Sequence, residues 1–231
     1  MTKDERTSGC AVLFSGGLDS AVLLAHERAA IDRVVPMHVR AGLAWEDAEA
    51  RTIASLLAAP PFAGRVEHAR TLHVDMRDTY PPSHWALTGH PPAYDTPDED
   101  VYLDGRNLVL IAKAAVLGAR LGLNRLALGP LAGNPFPDAT PEFFEAMSRA
   151  ISLGLSHEIA IAAPFAAWHK AEVIRRGIEL GVPLARTLSC MNPQGDLHCG
   201  RCSKCRERHD AFRETGRDDD TRYASPPGSA V

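Results

Sequence analysis

No stretch of the 231-residue chain approaches the roughly 20 consecutive apolar residues that a membrane-spanning helix needs. Its first nine residues are charged and polar and lack the apolar core of a secretory signal. Together these absences set the expectation of a soluble, cytoplasmic protein with no membrane partner. A basic surplus is missing as well. Lys and Arg number 25 against 29 Asp and Glu, a net charge of −4, which argues against broad electrostatic binding to nucleic acid. Neither of the two best-known phosphate loops occurs: there is no Gly-x-x-x-x-Gly-Lys-Ser/Thr and no Gly-x-Gly-x-x-Gly. P-loop NTPases and classical dinucleotide enzymes are thereby disfavoured. Cysteine is scarce except in one place, with four of the five residues between positions 190 and 205. In a reducing compartment such crowding points to a metal rather than to disulfides.

What is present is an alternation of short apolar runs and helical patterns. Hydrophobic residues at 45% and charged residues at 23% suit one sizeable folded domain with a small appendage. Residues 10–14 read as a strand, followed by a glycine turn and a helix over 18–30, in which Leu18, Val22, Ala25 and Ala29 share a face. Further strands are expected at 34–39, 66–74, 125–128 and 158–163. Helices are expected at 45–57, 107–121 and 168–180, with another beginning at Thr140-Pro141, Thr as cap and Pro at the first helical position. Glu46 and Asp47 fall in the first turn of their helix, where its dipole favours acids. Alternating strands and helices imply an α/β fold, a mostly parallel sheet covered on both faces. Residues 76–104 break the pattern with five prolines, and a long irregular stretch of this kind is either a lid or a surface excursion. The chain is expected to divide into an α/β domain at 1–185, a metal-binding helical segment at 186–214 and a disordered tail at 215–231.

Two constellations carry chemistry. In Ser15-Gly16-Gly17-Leu18-Asp19-Ser20, between first strand and first helix, glycines free backbone N–H groups to face an anion and the helix N-terminus adds positive charge. Ser15 and Ser20 can donate to phosphate oxygens. Asp19 would repel them unless it holds Mg²⁺ or fixes the turn by accepting backbone N–H bonds. As a bare spacing, the stretch could also be an ordinary glycine-rich turn capped by serine. The second constellation is Cys190, Cys199, Cys202 and Cys205, spaced C-x8-C-G-R-C-x2-C. Four thiolates close a tetrahedral shell around zinc and leave no position for substrate, so the metal would be structural. An iron–sulfur cluster, a redox pair at Cys202 and Cys205, and a zinc ribbon docked on nucleic acid are the alternatives. The last is weakened by Glu207 and Asp210, which dilute the charge of Lys204, Arg206 and Arg208.

The six-residue glycine turn resembles the signature of the N-type ATP pyrophosphatases, which cleave ATP between its α- and β-phosphates and adenylate a substrate. Joined to the cysteine spacing, it resembles one family of these closely, the 7-cyano-7-deazaguanine synthases. Gly105-Arg106-Asn107 looks like that family's Pro-Gly-Arg-Asn, and residues 137–143 look like its Pro-Asp-Cys-Arg-Pro-Glu-Phe. His169-Lys170-Ala171-Glu172-Val173 and Leu180-Gly181-Val182-Pro183 are similar to its Thr-Lys-Ala-Glu-Ile and Leu-Gly-Val-Pro. The resemblance implies an adenine nucleotide alpha hydrolase-like, Rossmann-like sheet and an ATP-dependent ligase forming a C–N bond. Its substrates would be ATP with Mg, 7-carboxy-7-deazaguanine and ammonia, on the route to queuosine, and the enzyme would be a homodimer. By the same resemblance, Ser15, Gly16, Gly17, Leu18, Asp19 and Ser20 would bind ATP, and Asp19 and Lys170 would be catalytic. Arg106, Asn107 and Asp138 would meet substrate, and the four cysteines would bind zinc. Lys170 and Arg106 could equally be a solvated helix residue and a helix-start staple. The chain departs from the family at residues 38–45, where Asp-Tyr-Gly-Gln-Arg-His is usual, and at Ala139 and Thr140. Those departures fall where an acceptor would be recognised. They keep open a related enzyme adenylating another carboxylate or a tRNA base, and, from another class, a non-catalytic zinc-ribbon adaptor.

Overall fold

The computed structural model describes residues 9–228. Its frame is a five-stranded, wholly parallel sheet in the order β3-β2-β1-β4-β5. The strands are β1 (Cys10–Leu13), β2 (Val34–Arg40), β3 (Arg70–His73), β4 (Arg125–Ala127) and β5 (Ala160–Ala162). The long helices are α1 (Leu18–Ala30), α2 (Glu46–Leu57), α4 (Arg106–Arg120), α5 (Pro141–Leu155), α6 (Lys170–Glu179) and α7 (Ser203–Thr215), with the single-turn α3 (Trp85–Thr88) between α2 and α4. Strands three to five fall within the expected stretches but are shorter.

The period-two alternation of β1 divides the core. Cys10, Val12 and Phe14 join a cluster with α1, α2, α6 and the α7 residues Ala211 and Phe212. Ala11 faces the opposite side, where Leu110, Ile111 and Ala114 of α4 and Phe144 of α5 cover Val35, Met37 and Val39 of β2. A strand with both faces covered has to be apolar throughout, as β1 is. Helix α5 starts as its sequence dictates: Thr140 Oγ1 accepts from the Phe143 amide at 3.2 Å, with proline following the cap. Glu46 goes further than a dipole argument requires. Buried, its carboxylate accepts the backbone N–H groups of Ala41 at 2.5 Å and Gly42 at 3.1 Å, tying the end of β2 to the start of α2.

The proline-rich stretch 76–104 is not structureless. It contains α3 and a short 3₁₀ turn at Asp98–Val101, and its Met76, Tyr80, Ala86, Val101 and Leu103 form a third apolar cluster with Trp45 and the four clustered cysteines. Trp45 and Trp85 stack with ring centroids 5.8 Å apart, and Ala93 pairs with Cys202 in an antiparallel bridge. The stretch thus links the loops at the C-terminal ends of the strands to the cysteine segment.

The tail expected to be disordered from 215 onward instead makes contacts with the cysteine segment from Asp219 on; residues 229–231 lie outside the described part. Arg208 of α7, wholly buried, donates to Asp219 through Nε and Nη2 at 3.1–3.3 Å. Tyr223 Oη donates to the same carboxylate at 2.7 Å, and residues 222–224 run beside His198. Composition suggested disorder because the segment carries little apolar surface; a buried ion pair and polar bonds to residues 198–200 anchor it instead. Among the described residues no helix is long and apolar enough to cross a membrane.

Candidate active site

Between β1 and β4 the chain's connections diverge to opposite sides of the sheet, which opens a crevice at the strands' C-terminal ends. The glycine turn sits there. Gly16 has φ +77°, a left-handed conformation that disfavours any side chain. Ser15 Oγ accepts from the Gly17 amide at 3.2 Å, and Ser20 Oγ donates to the Gly17 carbonyl at 3.1 Å while lying 3.3 Å from Ser15 Oγ. Each serine therefore braces the turn. From outside, the Leu188 amide donates to the Gly16 carbonyl at 2.9 Å. The free amides at the start of α1 remain to face an anion. Leu18 contributes only its main chain, since its side chain is buried in the core.

Asp19 is held by one oxygen. Lys170 Nζ donates to its Oδ2 at 3.0 Å, while its Oδ1 is buried with no partner. An orphan carboxylate oxygen in a polar crevice is an unmet demand for a cation or a donor. Lys170 is no solvated helix residue. At the first position of α6, its ammonium also donates to Glu207 Oε1 at 2.5 Å, and Lys204 donates to Glu207 Oε2 at 2.6 Å. Burial works against the Lys170 charge, but Asp19 and Glu207 more than offset it and hold its pKa above the ordinary value. Burial likewise opposes ionisation of Glu207, and the Lys170 and Lys204 charges overcome it, lowering that carboxyl to about 2.

A cavity of about 290 Å³ opens from the turn, with Ser15, Gly17, Asp19 and Ser20 at one end. Arg106, Asn107 and Asp138 line the same cavity. Asp138 accepts from the Asn107 amide at 2.9 Å and, through its carbonyl and Oδ1, from Asn107 Nδ2 at 3.1 and 3.3 Å. Burial raises its pKa, partly countered by those bonds. Arg106 Nε is buried without a partner, an unmet donor facing the cavity side of α4's first turn. Val101, Tyr102 and Leu103 of the proline-rich stretch form a wall. Sequence reasoning did not find His38 and Glu49. Both are buried, both line the cavity, and His38 Nε2 lies 3.0 Å from Glu49 Oε2. Their signal was faint: position 38 stood out as a departure, but its partner lies on the next helix.

Cys190, Cys199, Cys202 and Cys205 come together as expected, all buried, with sulfurs within 4.8 Å of one another. Zinc–sulfur bonds of about 2.3 Å imply tetrahedron edges of about 3.8 Å, and the Cys199–Cys205 and Cys202–Cys205 sulfurs lie 3.9 and 3.6 Å apart. Backbone amides of Asn192 and Cys199 donate to Cys190 Sγ, and that of Arg201 to Cys199 Sγ, at 3.2–3.3 Å. Amides aimed at sulfur stabilise thiolates, the form in which cysteine binds metal. Gly200 is obligatory: a Cβ there, at φ +77°, would lie 2.0 Å from the Ser225 carbonyl oxygen. The cluster fits a single metal ion and does not line the cavity.

A family model described as "QueC: Queuosine biosynthesis protein QueC" matches residues 9–216. The 7-cyano-7-deazaguanine synthase of Thiobacillus denitrificans is 36% identical over 234 residues, covering 92% of this chain and 97% of that protein. The enzyme of the same name from Methanoculleus marisnigri is 33% identical over 223 residues, covering 91% and 96%. That from Haloarcula marismortui is 31% identical over 238 residues, covering 98% of both chains.

Proposed function

The chain belongs to the QueC family of queuosine biosynthesis proteins, and on that premise we propose that it is an ATP-dependent 7-cyano-7-deazaguanine synthase. It takes 7-carboxy-7-deazaguanine and ammonia to the nitrile. The triphosphate lies along the glycine turn, met by the amides at the start of α1 and the hydroxyls of Ser15 and Ser20. The acceptor carboxylate attacks the α-phosphorus and pyrophosphate departs, leaving an acyl adenylate. Ammonia adds to that carbonyl and AMP leaves, giving the amide and a proton. The amide oxygen then attacks the α-phosphorus of a second ATP, a second pyrophosphate departs, and loss of AMP and the amide nitrogen's protons completes dehydration to the nitrile.

Positioning and charge supply the rate, without a protein nucleophile. Lys170 holds positive charge beside the turn, where charge builds on the leaving pyrophosphate. Arg106 offers its unpaired edge to an acceptor carboxylate or to a phosphate. Mg²⁺, which would be held by Asp19 Oδ1, shields the triphosphate and makes phosphorus more electrophilic when bound. His38, at the point of departure from the family pattern, and its partner Glu49 contact the acceptor. The four cysteines hold zinc; sulfur edges this short suit one ion rather than a multi-iron cluster. The reading extends to a cytoplasmic homodimer that does not engage nucleic acid.

The observation carrying this reading is the meeting, in one crevice, of a braced anion-binding turn, an orphan carboxylate oxygen and an unpaired guanidinium edge. Mass spectrometry of a reaction of 7-carboxy-7-deazaguanine, ammonium and Mg-ATP is expected to show the nitrile with release of two AMP for each nitrile formed. No nitrile with that acceptor, alongside turnover of another carboxylate, would refute the substrate assignment.

A further inference from the structure

The family likeness directs attention to the turn and the cysteines as separate features, but the structure joins them through α7. Glu207 lies two residues beyond Cys205 and reaches away from the cysteines to Lys170 Nζ at 2.5 Å. Lys170 in turn reaches Asp19 Oδ2 at 3.0 Å. The neighbouring Arg208 secures the other flank, donating to Thr187 Oγ1 at 2.8 Å and to the Leu184 carbonyl at 2.9 Å. The next residue, Leu188, donates its amide to Gly16. Two side chains of one helical turn therefore brace the glycine turn from its Asp19 side and its Gly16 side.

The ammonium's position decides what Asp19 can do. Lys170 is shared between two carboxylates, so it satisfies Asp19 through one oxygen and leaves Oδ1 unpartnered. With the Glu207 charge gone, the whole attraction of a buried ammonium falls on Asp19. It would then close over both oxygens, taking the free one from the triphosphate's cation and withdrawing the ammonium from the phosphates.

We propose that Glu207 is a positioning residue for ATP handling: by sharing Lys170 with Asp19, it confines the ammonium to Asp19 Oδ2 and keeps Oδ1 open. This rests on the synthase reading above. Its test compares Glu207→Gln with the wild type, and with Glu214→Gln as a control at an exposed position of the same helix. Zinc content and melting temperature are measured beside kcat, KM for each substrate and the Mg²⁺ concentration giving half-maximal rate. Expected for Glu207→Gln is an unchanged metal content, a kcat lower by about tenfold or more, and a Mg²⁺ requirement raised by a similar factor. KM for the deazaguanine should be little altered. Glu207→Asp, which restores the charge on a shorter arm, should recover part of both. A wild-type rate and Mg²⁺ dependence in Glu207→Gln overturns the proposal. So does a loss of rate fully accounted for by lost metal or lost fold. An inactive wild type strikes the synthase reading instead; isothermal titration with Mg-ATP then still tests Glu207, since only the positioning role weakens Mg²⁺-dependent nucleotide binding in the variant.

Discussion

Replacing Arg208 with methionine removes the most heavily bonded buried cation described. Its guanidinium is wholly buried and donates to Asp219, Thr187, Ser189 and the Leu184 carbonyl. It also lies 5.1 Å from the centre of the Phe212 ring. Breaking a buried pair by deleting one partner costs about 3–5 kcal/mol, because the other charge stays buried. Asp219 would not be wholly abandoned, since Tyr223 Oη and the Thr221 amide still donate to it. That draws the cost towards the lower end of the range. A net cost of about 3–4 kcal/mol follows. For a chain of this length each kcal/mol lowers Tm by about 2–4 °C, so the variant should melt about 6–16 °C lower. Thermal unfolding followed by circular dichroism measures this. Arg208→Met/Asp219→Asn, which removes both charges, should regain about 1–2 kcal/mol over the single variant. A fall smaller than about 3 °C, or a double variant less stable than Arg208→Met, would refute the account of the pair as a buried charge couple.

Asp19→Asn should keep the fold and lower kcat/KM for ATP consumption by about 10²–10³-fold, the usual scale for one preorganised charge at a reacting centre; coupled ATP turnover at saturating Mg²⁺ measures it. Burial pushes the Asp219 carboxyl up, but the Arg208 charge and its other donors outweigh this and leave its pKa below the ordinary 3.8. Its contribution to stability is thus fully present above that value and is lost as pH falls through the depressed one. The melting gap between wild type and Asp219→Asn should be constant from pH 7 to about 5 and shrink below about pH 4; a gap that widens on acidification contradicts the sign. Cys199→Ser should abolish stoichiometric metal, read by mass spectrometry of the native protein, and shift α7 towards exchange with solvent deuterium; a variant retaining one equivalent of metal rules out the four-sulfur site.

Local chemistry was legible in the sequence and long-range pairing was not. The strand, turn and helix at 10–30 follow from apolar spacing and paired glycines, and Thr140-Pro141 announces its own helix start. The cysteine spacing brought four sulfurs together on the page as it does in the fold. Glu207, by contrast, looked like a charge diluting a basic patch, because its partner lies 37 residues earlier in the chain. His38 and Glu49 are 11 residues apart, on a strand and the helix after it, and no single periodicity relates such positions. The prolines of 76–104 correctly signalled the end of regular structure but not the burial of Tyr80, Val101 and Leu103, which depends on surface supplied by residues near 45 and 200. The polar 216–228 stretch misled for the complementary reason: composition measures apolar burial, and this segment is held by a buried ion pair and by backbone hydrogen bonds to His198 and Gly200.

That last point bears on anyone shortening the protein for crystallisation or fusing a purification handle to its end. Cutting after Thr215 would discard what reads as dispensable Asp, Pro and Ser, yet it would strip the counter-ion from a guanidinium with no route to water. Damage would then spread inward through Thr187 and Leu188 to the first glycine of the turn after β1.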